Sequence, residues 1–244
     1  MSIVEVSSKD GINPIIDHSN FTVKLTKHLN NVIAVQLLQA TIPFSWYIIN
    51  DSNNTFNWSK TDSTNVNTII PEGSYSSHQI AETLSNQMSL SGQNISVEYD
   101  SATDKFTFTS STVFTIQPMN DQLKKILGYD VLSAPTPATS ISTNKSPMVT
   151  GDNCINLSIE NLFLDVQSTS NLSNSTIQIP ITSNPRGVIY YQNADEDDVI
   201  PFQVDCDLSE LKIRLSYFDG AKLGGSKNFR GVPCFFKFKF FFKK

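Results

Sequence analysis

The stretch from Pro71 to Gly128 constrains this chain most, because there the apolar period changes from strand to helix and back with clear punctuation at each change. Ser76-x-x-Gln79 has the form of a capping box, so a helix is predicted to begin there. Ile80, Leu84 and Met88 follow at spacing four with Ala81 beside them, and Gly92 is placed to let the chain leave through a left-handed residue. The helix should therefore run for about three turns. Ile95, Val97 and Tyr99 then alternate with polar residues, Asp100 to Asp104 has turn composition, and Phe106 and Phe108 alternate again. A β-hairpin with one aromatic face is expected. Val113, Phe114 and Ile116 offer a further short strand, which Pro118 stops. Asn120 or Asp121 can then cap a second helix carrying Leu123, Ile126 and Leu127, which Gly128 ends.

On both sides of this unit the periodicity is that of strands. Phe21, Val23 and Leu25 alternate, and Val32 to Ile42 is a longer apolar strand, the two pairing across Lys27 to Asn31. Trp46 to Ile49 and Phe56 to Trp58 flank the turn cluster Asn50-Asp-Ser-Asn-Asn54 and read as a hairpin, and Val66 to Ile70 leads into the helical unit. Leu132 to Met148 has the Pro, Ser and Thr content of a surface loop. Strand patterns return at Ile155, Leu157, Ile159; at Leu162, Leu164, Val166; at Ile177, Ile179, Ile181; at Val188 to Tyr191; and at Leu211, Ile213, Leu215. In the last stretch Phe236, Phe238, Phe240 and Phe242 share one face, while Lys237, Lys239 and Lys243 share the other with Phe235 and Phe241. About eight antiparallel strands outside the helical unit fit a jelly roll, two sheets face to face. The predicted fold is all-β: a single jelly-roll β-sandwich over 21–244 with 71–129 as a helix-strand-strand-helix insertion, preceded by an N-terminal arm at 1–20.

At 244 residues the chain can bury a core of this kind. Only 17% of its residues are charged and the net charge is −5, the wrong sign for a surface devoted to phosphate backbones. No specific nucleic-acid binding is expected. No apolar run approaches the roughly 20 residues of a membrane helix and the start lacks a signal peptide, so synthesis in a cytosol is expected. Asn-x-Ser/Thr triplets such as Asn20-Phe-Thr22 then follow from composition rather than glycosylation.

The search for chemistry is negative. Cys154, Cys206 and Cys234 are far apart and have no ligand spacing, so buried free thiols are expected rather than zinc ligands or disulfides. His18, His28 and His78 fall in an arm, a turn and a helix start, with neighbours that suggest exposure. Gly220 to Ser226 is glycine-rich but lies between strands instead of opening a helix, so it lacks the dipole that holds phosphates. Asp195-Glu-Asp-Asp198 lacks the glycine and distal glutamate of a calcium loop and reads as a solvated acidic turn. No catalytic, cofactor-binding or metal-ligating residue is assigned, and no enzyme activity or cofactor is expected. The lysine face of the last strand is either an edge guarded by charge or a basic patch.

A resemblance adds to these readings. Pro71-Glu-Gly-Ser-Tyr75, then the helix, then Ile95-Ser-Val-Glu-Tyr-Asp100, Lys105-Phe-Thr-Phe108 and Ile126-Leu-Gly-Tyr129 follow a pattern of viral structural proteins. Upstream, Phe21-Thr-Val-Lys-Leu25, Val35-Gln-Leu-Leu38, Ile42-Pro43 and Asn53-Asn-Thr-Phe56 extend it. Together they resemble the penton, or vertex, minor capsid proteins of polinton-like viruses, virophages and related eukaryotic double-stranded DNA viruses. The likeness runs from Phe21 to Tyr129; the chain departs from the pattern at Ser8-Lys-Asp-Gly11, where an arginine would follow Ser-x-Asp. It implies a structural virion protein, a homopentamer at the fivefold vertices of an icosahedral capsid, with a major capsid protein of double jelly-roll type and other minor capsid proteins as partners. The other reading is a carbohydrate- or receptor-binding β-sandwich, such as a fibre or host-attachment protein, with Trp46, Tyr47 and Trp58 as a stacking platform.

Overall fold

The structure, a computed structural model, describes residues 1–12, 18–62, 64–129, 136–162, 176–193, 195, 198–216, 229 and 231–243, apart from the side chains of 176, 203 and 204. In chain order the strands are β1 (Ser2–Ser7), β2 (Asn20–Pro43), β3 (Thr55–Lys60), β4 (Asn65–Ile69), β5 (Ile95–Asp100), β6 (Lys105–Ile116), β7 (Ala138–Ser142), β8 (Cys154–Ile159), β9 (Thr176–Pro180), β10 (Val188–Gln192), β11 (Ile200–Ser216) and β12 (Phe235–Phe242), with helices α1 (Ser77–Ser89) and α2 (Asp121–Leu127). The chain divides into two compact units, one made of Met1–Trp46 with Asp152–Lys244 and the other of Tyr47–Gly151.

The first unit is one seven-stranded antiparallel sheet in the order β1-β12-β2-β11-β8-β9, with β10 also paired to β2. Its centre is β2, which runs for 24 residues where two strands joined by a turn were expected. Lys27 to Asn31 does not reverse the chain. Asn31 takes a left-handed φ of 54° and its N–H is held by Asp207 Oδ1 at 2.8 Å, so the polar segment bends the strand and the pairing with β11 resumes beyond it. Register shifts along the β2–β11 and β2–β12 ladders mark further bends, and irregularities of this kind curl a sheet. The inner face is apolar: Val32, Val35, Leu37, Ile155, Leu157, Leu211, Ile213, Phe236, Phe238 and Phe240 are buried. Each large side chain so buried contributes about 1.5–3 kcal/mol relative to exposure.

The second unit contains a five-stranded sheet, β4-β3-β6-β5 with β7 on β6, and both helices. It is wider than the 71–129 expected of the insertion. Thr55–Lys60 and Asn65–Ile69, expected in the main roll, pair with each other and, through β3, with β6. Trp46 to Ile49 does not pair with Phe56 to Trp58; Ile49 instead makes an isolated bridge to Gly73. The segment read as loop contributes β7, which joins β6. The strand expected at Val113 to Ile116 is the second half of a continuous 12-residue β6. Polar pairs such as Thr107–Ser142, 2.9 Å between hydroxyls, carry little periodic signal, which is why β7 was not legible.

The helices match their punctuation. Ser76 and Gln79 form the reciprocal capping box of α1, whose buried residues are Ile80, Ala81, Leu84 and Met88. Asn120 caps α2, and Gly128 closes it with φ 68°. Phe56 and Phe108, both buried, stack at 5.4 Å across β3 and β6. The chain is thus mostly β-strand, with a curled antiparallel sheet, and among the described residues its α-helices lie in the inserted unit. The expected strand residues Leu164 and Val166, the glycine-rich loop at Gly220 to Ser226, and Glu196 and Asp197 lie outside the described residues.

Candidate interaction surface

The residues that the sequence marked for possible function are distributed by the fold in ways that exclude some and regroup others. Trp46 and Trp58 cannot form a stacking platform: they are 1% and 0% exposed. Trp58 donates its indole N–H to Thr68 Oγ1 at 2.9 Å, and Trp46 packs on Phe44 with ring centroids 4.3 Å apart and edge-on to Phe229 at 5.1 Å. Proximity to a turn cluster suggests outward presentation for these aromatic residues; instead their size makes them anchors of the core.

His18, expected to be exposed in an arm, is buried. Its Nδ1 lies 2.8 Å from Ser8 Oγ, which also accepts the Cys234 backbone N–H at 2.8 Å, while Ser8 N–H donates to the Cys234 carbonyl at 3.0 Å. Ser8, His18 and Cys234 are each no more than 4% exposed, so the group clasps the chain after β1 to the start of β12. Burial pushes the Cys234 thiol far above its ordinary range, leaving it protonated and unreactive. Cys154 and Cys206 are half-buried free thiols, raised by burial and then by Asp152 beside the first and Asp207 and Asp205 beside the second. His28 is exposed, as expected, and His78 sits edge-on to Tyr99 at 5.1 Å. Asp195 and Asp198 are held by Asn193: the Asp195 N–H donates to its Oδ1 at 2.9 Å and its Nδ2 donates to Asp198 Oδ2 at 2.8 Å. Among the described residues no three His, Cys, Asp or Glu side chains are grouped to hold a metal ion.

The N-terminal segment expected as an arm contains an in-chain strand. β1 pairs with β12 from Ser2↔Phe240 to Ser7↔Phe235 without a register shift. Val4 and Val6, alternating with Glu5 and Ser7, could have shown this, but a six-residue strand has no sequence mark of its partner when that partner is at the other end of the chain.

This pairing builds an outer face from four strands. One rung runs Tyr190–Thr41–Phe235–Ser7 and the next Gln192–Gln39–Lys237–Glu5. Residues directly opposite in such ladders point to the same side. Val188, Tyr190, Phe235 and Ile3 are 51–58% exposed. An open groove of about 380 Å³ lies between the rungs, lined by Glu5, Ser7, Gln39, Thr41, Phe235 and Lys237 among others. The lysine face is partly engaged within the chain: Lys237 Nζ pairs with Glu5 Oε1 at 2.9 Å, and Lys239 Nζ stands 5.2 Å from the centroid of Phe241. Lys243 Nζ meets Asp205 Oδ2 at 2.5 Å, and that hydrogen bond raises the lysine above its ordinary value.

A mixed apolar and hydrogen-bonding face of this kind can hold a macromolecular partner, since exposed apolar side chains grouped on one face mark interaction sites. No family model matches the chain, and no curated protein does. A solved structure is similar to it. That structure is of a selenomethionine-labelled mavirus penton protein, 6% identical, with a TM-score of 0.49 over 98% of this chain and 99% of that one. No helix among the described residues is long and apolar enough to cross a membrane.

Proposed function

We propose that the chain is a structural virion protein, a penton subunit that forms homopentamers at the fivefold vertices of an icosahedral capsid built mainly from a double jelly-roll major capsid protein. In this reading the curled sheet of the first unit is the body of a jelly roll, the protein is made in the host cytosol and works in the virion, and it acts without catalytic turnover, metal or cofactor. The observation that carries the reading is the exposed outer face of β10, β2, β12 and β1, where Val188, Tyr190, Phe235 and Ile3 stand in the open. Such a face suits lateral packing in a shell, and cyclic symmetry asks for contacts of this kind between unlike flanks of neighbouring subunits. The capsid assignment itself comes from the order of motifs between Phe21 and Tyr129. Several of them are joints of the fold: Tyr75 Oη donates to the Pro71 carbonyl at 2.6 Å, Gly73 bridges to Ile49, and Gly128 closes α2. The stacking-platform reading loses two of its three residues with the burial of Trp46 and Trp58, and keeps only the half-buried Tyr47.

The experiment is a reconstruction of the virion, in which the chain is expected in five copies at each vertex. Its absence from the vertices, or another copy number there, would overturn the proposal. A monomer in dilute solution would not bear on it, because a weak ring can depend on the surrounding shell. Hydrolytic activity lost on a single substitution would overturn the non-enzymatic part.

A further inference from the structure

β1 is a sheet edge with a specific set of bare backbone groups. In an antiparallel ladder, residues alternate between pairs that exchange backbone hydrogen bonds and pairs that do not. The bond from Ser8 N–H to the Cys234 carbonyl fixes the phase, since that pair continues the register of Ser7↔Phe235 by one step. Val6 and Val4 therefore point their N–H and C=O groups at β12. Ile3, Glu5 and Ser7 point theirs away, toward the side where β1 is the last strand of the sheet. The Ile3 and Glu5 backbones and the Ser7 N–H have no hydrogen-bond partner elsewhere among the described residues, while the Ser7 carbonyl opens the 3-10 turn at Ser8–Asp10. Their side chains lie on the outer face, where Ile3 is 58% exposed and the Glu5 side chain 73%.

Natural sheet edges are usually blunted by proline, lysine, a bulge or a covering segment. β1 has neither proline nor lysine, its ladder has no bulge, and the Ser8–His18–Cys234 clasp fixes its end. By contrast β9, the strand at the opposite end of the sheet, ends in Pro180, which has no N–H to offer. The two ends of the strand order are thus unlike, and of these two β1 is the open one among the described residues.

We propose that β1 accepts an extended strand from another polypeptide, which adds antiparallel to Ile3–Ser7 and sets a basic residue opposite Glu5. The charge follows from the rung. Lys237 already faces Glu5 from the inner side at 2.9 Å, so a second cation on the outer side extends an alternating row, whereas an acid there meets Glu5 directly. The same argument disfavours β1 of a second copy: antiparallel self-pairing in full register places Glu5 against Glu5. Affinity comes from the main-chain bonds at Ile3, Glu5 and Ser7, and selectivity from the charge and from the groove beside Phe235. This inference stands apart from the penton reading and does not need it.

The test uses the full chain and capped heptapeptides of alternating valine and threonine with a central lysine. Amide hydrogen exchange should show new protection at Ile3, Glu5 and Ser7 when the peptide is added at millimolar concentration. A central glutamate should weaken binding roughly three- to tenfold, and E5K, at an exposed position, should reverse the preference. A peptide N-methylated on the amides facing the edge should not bind. No protection with the lysine peptide, equal affinity for both central residues, or equal binding of the N-methylated peptide would each overturn the proposal. So would protection of the three amides that rises with protein concentration without peptide, since the occupant would then be a second copy.

Discussion

Gly128 is the residue whose replacement should cost most for its size. Its φ is +68°, and a Cβ there would stand 2.2 Å from the Lys145 backbone carbonyl oxygen, which also lies on an exit path tied by Lys145 N–H to the Gly128 carbonyl at 2.9 Å. Gly92 has a similar φ of +85°, but its nearest neighbour would be Lys60 Nζ at 3.9 Å. G92A is therefore expected to lose only the left-handed strain of about 1–2 kcal/mol, and G128A to lose more, about 3 kcal/mol, because backbone must also move. Urea unfolding of the two variants measures the difference; equal losses would show that the close approach is absorbed. Cys234 gives a pH prediction. Its thiol is pushed up by burial from an ordinary value of 9.0, so the folded state keeps a proton that the unfolded state releases. Stability from this group is present below about pH 9 and falls as pH rises further, by up to about 1.4 kcal/mol per pH unit. C234A should flatten that fall, and an unchanged slope would assign it to other groups. Iodoacetamide at pH 8 should label Cys154 and Cys206 while Cys234 stays unmodified until the protein unfolds.

At the scale of elements, end chemistry and partner chemistry matter in different ways. α1 is closed by its capping box, with Gln79 N–H on Ser76 Oγ at 3.3 Å and Ser76 N–H on Gln79 Oε1 at 2.9 Å. S76A is expected to cost about 1 kcal/mol, and restoring a hydroxyl with threonine to recover most of it, read from the unfolding midpoint. β1 depends on a clasp rather than on its own six residues. S8A removes the acceptor of the Cys234 N–H and the hydroxyl beside His18 in a site 4% exposed or less, which should cost about 1–3 kcal/mol. Because the clasp is at the end of β1, the early loss should be of amide protection in Val4 and Val6. If S8A left those amides as protected as the parent, the clasp would not be what fixes the strand. The element boundaries of α1 and α2 were legible because caps and glycines are local signals. The unbroken length of β2 was not: Lys27 to Asn31 has turn composition, and only its bond to Asp207, 176 residues away in sequence, turns it into a bend.

The molecule as a whole is a chain interrupted between Trp46 and Asp152 by a unit with its own sheet, helices and core. The ends of that unit meet: a Cβ on Gly151 would lie 3.0 Å from Ile48 Cδ1. A fragment of residues 47–151 is therefore expected to fold alone, with a cooperative urea transition and the protected amides of β5 and β6. A fragment that stays unfolded would show that its sheet needs the rest of the chain. The sequence by itself determined the β-rich class, both helices with their caps, the alternation that buries Phe236, Phe238 and Phe240, and the switch of period at Pro71, all of which depend on residues within a few positions of one another. Only the tertiary structure decided that β3 and β4 belong to the inserted unit, that Ser2–Ser7 is a strand, that His18 and both tryptophans are buried, and that Phe235, Tyr190 and Ile3 share a face. Those outcomes are pairings across tens to hundreds of residues, and the free energy that selects them comes from which apolar faces meet, which no local pattern contains.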